Sequence, residues 1–470
     1  FSSLAIIYYS RGDLEQALKF SKQSLMINEI DILTKLSTLH VLGNIYKEKG
    51  ELNRTLRHFN RAARLAEEND HTEEFITHLM GIGTTYRMKG DYVQALENLK
   101  RSLQLSEDSG FLMGMSASLF YLVLISLDNN SLEQAKAYLA RLEEHSLQIE
   151  SKIFNQAYLI AKALVLRKAR RIRNYTEAEV LLKKVIESGK LTPTFYLLSL
   201  VNLCDLFLEE LYLTNNPEVL EEINSLINKV LETAESNNSY LWLAETKLLQ
   251  AKLALIQMDF DKSKKLLIHA QQIAEIHGFD LLAIKISSEH DDLLEKLNVW
   301  ENLRITNAPI SERIKLASFE GVINRMQGKG AVESPKLTPE ISVLLLIIGE
   351  GGFPLFTNQF TEKQIFADNL ISSFLTAFNT FSRELFSKGL DRAKFGDYML
   401  LMQSVDIYSV CYLYKGPTYF AKQKLTQFAD KIQNTPSIWQ TLNKFYKTNR
   451  IIEYKDLPAL KPLIKEIFLT

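Results

Sequence analysis

Apolar residues recur three and four positions apart through most of the first 290 residues, the spacing of a helix with one buried face. Leu39, Leu42, Gly43 and Tyr46 share one such face, and Thr55, Phe59, Ala62 and Ala63 the next. The pattern itself repeats. Tyr8-x3-Gly12-x4-Ala17, Tyr46-x3-Gly50-x4-Thr55 and Tyr86-x3-Gly90-x4-Ala95 superimpose, and the frame continues through Ser126, Asn130 and Ala135. From Gly12 to Asn130 the steps are 38, 40 and 40 residues. A fifth copy lies around Arg173 and Ala178, a degenerate unit over 195–234 with a loop at Thr214-Asn215-Asn216-Pro217, and a later copy around Met258 and Ser263. Such a period predicts helix–turn–helix units that stack into a solenoid, because one pair cannot bury its apolar face alone. Gly12, Gly50 and Gly90 are placed to end the first helix of each pair in the left-handed conformation. Gly43 and Gly83 sit inside helices, where glycine costs about 1 kcal/mol against alanine; a close helix–helix approach would explain them.

The pattern changes at Asn298. Ser311 to Gln327 reads as one helix, and Gly328-Lys329-Gly330 with Ser334 to Pro339 as a linker. Ile341–Ile348 is a continuous apolar run, a strand covered on both faces. Gly349 to Gly352 is a turn and 353–360 a second strand. Asp368 caps a predicted helix with Ile371, Phe374, Leu375, Phe378, Phe381 and Leu385 on its apolar face, and Gly389 ends it. Strands follow at 391–395, 398–404 and 407–414, then a helix after Gly416-Pro417 and another after Thr435-Pro436. The order is β-β-α-β-β-β-α-α, which predicts a mixed five-stranded sheet with helices on its faces.

The repeat residues resemble the tetratricopeptide repeat family, with Leu39/Leu42/Gly43/Tyr46/Phe59/Ala62 and Leu79/Ile82/Gly83/Tyr86/Ala95 carrying the likeness. The period exceeds the family's usual one, and its closing proline is absent from the well-formed copies. The resemblance implies a superhelix with a concave groove that binds peptides or other proteins. In that architecture the groove-facing positions are His40, Asn44 and Lys47 in one repeat, Thr84 and Arg87 in the next, and Arg167 and Arg170 in the fifth. The last third resembles longin-like domains, through Val343 to Gly349 entering a hairpin and Val410 to Gly416 leading to a helix; a roadblock-like domain is the alternative. That resemblance implies a small platform that docks proteins, often Ras-like GTPases or their regulators. The fused pair resembles chains of archaea with eukaryote-like trafficking components. The expected division is a solenoid of about seven repeats over 1–297, a capping helix and linker over 298–340, a longin-like domain over 341–450, and a tail over 451–470 open to a helical reading. Phe1 opens on a helix already under way, so upstream sequence is expected.

Composition narrows the chemistry. The chain of 470 residues carries 55 basic and 56 acidic residues, net −1, which argues against a nucleic-acid binder. The halves do not hide opposite poles: residues 331–470 hold 16 basic and 13 acidic residues, net +3. Two cysteines, Cys204 and Cys411, exclude a disulfide framework and read as buried thiols in a reducing, cytoplasmic setting. No apolar run approaches the length of a membrane helix. Gly349 to Gly352 follows a strand but no Gly-Lys-Ser/Thr follows it, so a hairpin is favoured over a phosphate loop. His71/His78 and His269/His277 are the closest histidine pairs, without a ligand cluster around them. No catalytic, cofactor or metal residues are assigned. The run Arg167-Lys168-Arg170-Arg171-Arg173 is a solvated helix end or a seat for a carboxylate-rich peptide. The expectation is a non-enzymatic scaffold that binds a protein or peptide in the groove and a second partner through the C-terminal domain. The alternatives are a regulator of a small Ras-like GTPase and an enzyme or sensor domain lying upstream.

Overall fold

A computed structural model describes residues 1–27, 29–148, 151–169, 172–189, 193–332, 339–349, 353–360, 392–448 and 450–469. They fall into two compact units: residues 1–286 with 301–334, and residues 287–300 with 335–470.

The first unit is a stack of antiparallel helix pairs: α1 (Ser2–Ser10) with α2 (Leu14–Leu25), α3 (Ile32–Glu48) with α4 (Leu52–Glu68), and α5 (Thr72–Lys89) with α6 (Tyr92–Ser109). It continues with α7 (Leu112–Asp128) and α8 (Leu132–Gln148), α9 (Lys152–Lys168) and α10 (Ile172–Glu187), α11 (Pro193–Thr214) and α12 (Glu218–Ser236), and α13 (Tyr240–Ile256) and α14 (Phe260–Ile276). The helix α15 (Asp280–Glu295) begins in this unit and α16 (Leu297–Ile305) ends in it; α17 (Ile310–Ala317) and α18 (Glu320–Met326) belong to it. The repeating residues do the work expected of them. Gly12, Gly50, Gly90 and Asn130 all have positive φ at the turn within a pair. Ala17, Thr55, Ala95, Ala135, Ala178 and Ser263, in the first half of every second helix except α12, are all fully buried. A Cβ on Gly43 would stand 2.4 Å from the Phe59 ring, and one on Gly83 2.7 Å from Leu99, so the missing side chains let the paired helices close. First helices of successive pairs also pack on each other: α1 on α3, α3 on α5, α5 on α7, α7 on α9, and α9 on α11. They therefore form the inner, more tightly curved layer.

Two features escaped the sequence pattern. The stretch 311–327, expected as one helix, is two: α17 and α18 break at Ser318, which sits at φ 52° while the Lys252 ammonium takes the Ala317 carbonyl at 2.9 Å. Both short helices lie on α11 and α13, inside the curve. The unit also closes on itself. The Gly12 turn abuts Asn238 and Tyr240 between α12 and α13, Lys49 abuts Gly278, and Gly50 meets Leu281.

The second unit is built on β1 (Ile341–Gly349), β2 (Pro354–Gln359), β3 (Arg392–Phe395), β4 (Tyr398–Val405) and β5 (Tyr408–Lys415), in the spatial order β2-β1-β5-β4-β3. Every neighbouring pair is antiparallel, which corrects the mixed sheet expected from the element order. The physical reason is that β1–β2, β3–β4 and β4–β5 are sequence neighbours joined antiparallel, and β5 returns beside β1 in the opposite sense. Alternate residues enter two clusters, as a sheet buried on both faces requires: Leu345, Ile347, Tyr412 and Tyr414 in one, Leu344, Leu346, Ile348 and Cys411 in the other. The first cluster takes in α19 (Thr418–Asn434), α20 (Pro436–Thr448) and α21 (Leu460–Phe468). Asp291 ties this unit together, accepting from the Thr418 amide at 3.0 Å, the Thr418 hydroxyl at 2.6 Å and Arg392 at 3.0 Å. The helix expected over 368–389 lies outside the described residues.

Candidate functional site

Charged side chains recur on six successive inner helices at steps of 38 to 41 residues: Lys47 on α3, Arg87 on α5, Asp128 on α7, Arg167 on α9, Asp205 on α11 and Glu245 on α13. The stacking brings these side chains around one segment of the same unit, residues 310–332.

The contacts are specific. Arg87 Nε donates to Asp128 Oδ2 at 2.6 Å, with both side chains buried, and its Nη1 donates to the backbone carbonyl of Gln327 at 3.2 Å. Arg167 donates to Asp205 at 2.6 Å and, through two nitrogens, to Glu209 at 2.9 and 3.2 Å. Those carboxylates push the Arg167 guanidinium up against the downward pull of its burial. Gln327 Nε2 donates to Asn202 Oδ1 at 3.0 Å and to Asp205 Oδ2 at 2.8 Å. Arg325 forms a two-pronged pair with Glu245 at 2.5 and 2.7 Å. Burial pushes the Lys329 ammonium down, while the facing Asp128 and Asp205 carboxylates hold it up. Further back, Arg313 donates to the Ile256 carbonyl at 3.2 Å, and the Ser311 amide to Asn215 at 2.8 Å. Val322, Ile323 and Met326 are buried, so the segment presents an apolar turn as well as its polar groups.

Beside this segment lies a cavity lined by Lys47, Glu48, Trp242, Glu245, Arg325 and Met326. Burial pushes the Lys47 ammonium down and the Glu48 carboxyl up; Glu48 accepts from the Tyr9 hydroxyl at 2.7 Å. The arrangement offers recognition chemistry: paired guanidinium and carboxylate groups, and donors aimed at main-chain carbonyls. Among the described residues no group of three or more His, Cys, Asp or Glu is placed to hold a metal ion. Nor is any helix there long and apolar enough to cross a membrane. Burial pushes both cysteine thiols up, away from thiolate chemistry.

Residues 34–108 match the model of the tetratricopeptide repeat. No curated protein matches the chain. Among solved structures, the chain is similar to NprR in complex with its cognate peptide NprX (13% identity, 68% of this chain and 85% of that one, TM-score 0.44). It is similar to a Rap protein complexed with competence and sporulation factor (12% identity, 67% and 80%, TM-score 0.43). A tetratricopeptide repeat protein from Parabacteroides merdae is a third likeness (17% identity, 60% and 95%, TM-score 0.37).

The array of helix pairs places the expected groove residues unequally. Arg87 and Arg167 face residues 310–332 but are already paired with carboxylates of neighbouring repeats. Arg167 is thus neither a solvated helix end nor a free seat for a carboxylate. Lys47 lines the cavity. His40 packs between Phe59 and His78, at ring distances of 5.7 and 5.5 Å. Asn44 is half-buried, and the Thr84 hydroxyl donates to the Gly81 carbonyl at 3.1 Å. Arg170 lies outside the described residues. The sequence reading missed Asp128, Asp205 and Glu245, although Asp128 stands 41 residues after Arg87, Asp205 38 after Arg167 and Glu245 40 after Asp205, all close to the period already found. Of this row, only the cations Lys47, Arg87 and Arg167 stood among the expected groove residues.

Proposed function

We propose that the chain is a non-enzymatic interaction scaffold whose solenoid takes a protein or peptide segment on its inner face. The observation that supports this is the face's present content. Five successive inner helices, α5 to α13, hold or flank a stretch of peptide through side-chain pairs and through donors to its carbonyls. A surface that grips main chain in this way is fitted to peptide rather than to a small metabolite. In this reading Asn44 and Thr84 lie at the open part of the face, Lys47 lines the cavity beside it and His40 supports them. Arg87 and Arg167 shape the wall through their carboxylate partners.

The C-terminal unit is the second docking platform. Its strands and helices follow the β-β then β-β-β-α-α order on which the longin-like resemblance rests. Regulation of a small Ras-like GTPase rests on that resemblance alone; unchanged nucleotide exchange across the GTPases of the source organism would remove it.

The test of the scaffold is site-specific crosslinking in cells. A photoreactive residue at Asn44 or Thr84 should capture a defined partner. The same residue at Val93, which is 75% exposed on the second helix of its pair, should not. Equal capture at all three positions, or none, would reject the inner face as the binding surface.

A further inference from the structure

We propose that residues 310–332 are an exchangeable internal ligand, and that the partner taken in trans is a cationic peptide segment of the same chemistry, an apolar helical turn followed by Arg-x-Gln-x-Lys. The proposal rests on the scaffold reading and names the ligand class and the competitor of that same face.

Charge decides the class. Around residues 325–329 the wall contributes Arg87 and Arg167 against Asp128, Asp205, Glu209 and Glu245. Around these residues the wall is therefore two charges negative; Lys47 with Glu48 adds no net charge, and Lys252 stands further back, on the Ala317 carbonyl. Arg325 and Lys329 supply the two missing positive charges. The cations of the wall, which alone would invite an acidic ligand, are spent on their neighbours. An acidic peptide would bring further negative charge to buried carboxylates, where repulsion is weakly screened.

The construction of the segment argues for exchange. α17 has eight residues and α18 seven, below the length at which isolated helices hold together, so their conformation exists against the wall and not before it. Two of the wall's bonds, from Arg87 and Lys252, end on backbone carbonyls that any peptide possesses. The remaining readers, Glu245 for a guanidinium and Asn202 with Asp205 for an amide, define a short pattern that another chain can carry. The internal copy holds its place by tethering, which raises its effective concentration and lowers the apparent affinity of any competitor.

The experiment uses the full chain and a fluorescein-labelled peptide of the sequence of residues 317–332. Binding is followed by anisotropy for the unaltered chain and for a chain carrying Arg325→Ala and Gln327→Ala. Loosening the internal copy should tighten peptide binding at least about tenfold, as removal of a competing state requires. Adding Glu245→Gln to the loosened chain should abolish it, and a peptide with its arginine and lysine changed to glutamate should not bind. As a second measurement independent of the variants' folding, saturating peptide should speed amide exchange over residues 319–330 of the unaltered chain. Equal affinity of the loosened and unaltered chains, equal binding of the charge-reversed peptide, or unmoved exchange would each overturn the proposal. If the peptide fails while crosslinking at Asn44 and Thr84 still captures a partner, the internal-ligand idea falls and the scaffold stands. If crosslinking fails as well, both fall.

Discussion

At the scale of single residues, Arg87 and Asp128 show what the charged row does for the structure. They meet at 2.6 Å with side chains 5% and 6% exposed. Removing one partner strands the other charge away from water, a loss of about 3–5 kcal/mol. Asp128→Ala should therefore lower the unfolding free energy of the first unit sharply, whereas Glu67→Ala should change it by under about 1 kcal/mol, because the Arg101–Glu67 pair is half exposed. Replacing Arg87 and Asp128 together by Met and Leu should recover most of the loss, as the double-variant denaturation curve would show. Histidine sets a pH dependence by the same logic. Burial first, then His78 and Lys47, pushes the His40 imidazole down to about 4, and burial also lowers His78. The unfolded chain takes up these protons near the ordinary histidine value of about 6.5, while the folded chain does not. Stability should thus be full above about pH 7 and fall as pH drops from about 6.5 towards 4. His40→Gln should flatten that slope in melts taken across the window, and an unchanged slope would reject the assignment. Arg87 was legible as a special position because the period marks it. Its partner was not, because Asp128 is 41 residues distant and only the stack makes the two neighbours.

Elements were more legible than their partners. Strand limits are within one or two residues of expectation, since Ile341–Ile348 is unbroken and Asp406, at φ 54°, turns the chain between β4 and β5. The direction of pairing was not visible, because it depends on where β5 comes to rest. Interior glycines separate two kinds of constraint. Gly43→Ala would drive a methyl to 2.4 Å from the Phe59 ring; overpacking of about 1–3 kcal/mol should exceed the roughly 1 kcal/mol of regained helix propensity, so a net loss is expected. Gly321, in α18, has only the Arg325 side chain near its missing Cβ, at 3.6 Å. Gly321→Ala should therefore stabilise the short helix by up to about 1 kcal/mol. Calorimetric melts of the two variants should move in opposite directions. The break at Ser318 had no sequence signal, because it answers to Lys252, 65 residues away.

At the scale of the whole repeat unit, the question is what holds a stack of independent pairs in one curve. A solenoid's curvature comes from a small rotation per repeat, which no single repeat encodes. The period revealed the pairs but not that the Gly12 turn would return to Asn238 and Tyr240. Here the two ends close through turns rather than through apolar helix faces. Gly12 stands at φ 74°, and a Cβ on it would lie 2.1 Å from the Asn238 carbonyl oxygen, a backbone atom that cannot swing aside. Behind it the Tyr240 and His277 rings stack at 3.5 Å. Gly12→Val combines a disfavoured backbone with a direct clash, so the closure should open while each helix pair, buried by its own neighbours, stays folded. The expected signature is divided: far-ultraviolet dichroism near that of the unaltered chain, a larger radius of gyration in solution scattering, and faster amide exchange at 238–241. Opening the curve would also separate the inner face from residues 310–332 on one side, so the labelled peptide should bind this variant more tightly than the unaltered chain. An unchanged radius with unchanged exchange would mean that the turns merely touch, and that the inner contacts to Arg325 and Gln327 alone hold the curve closed.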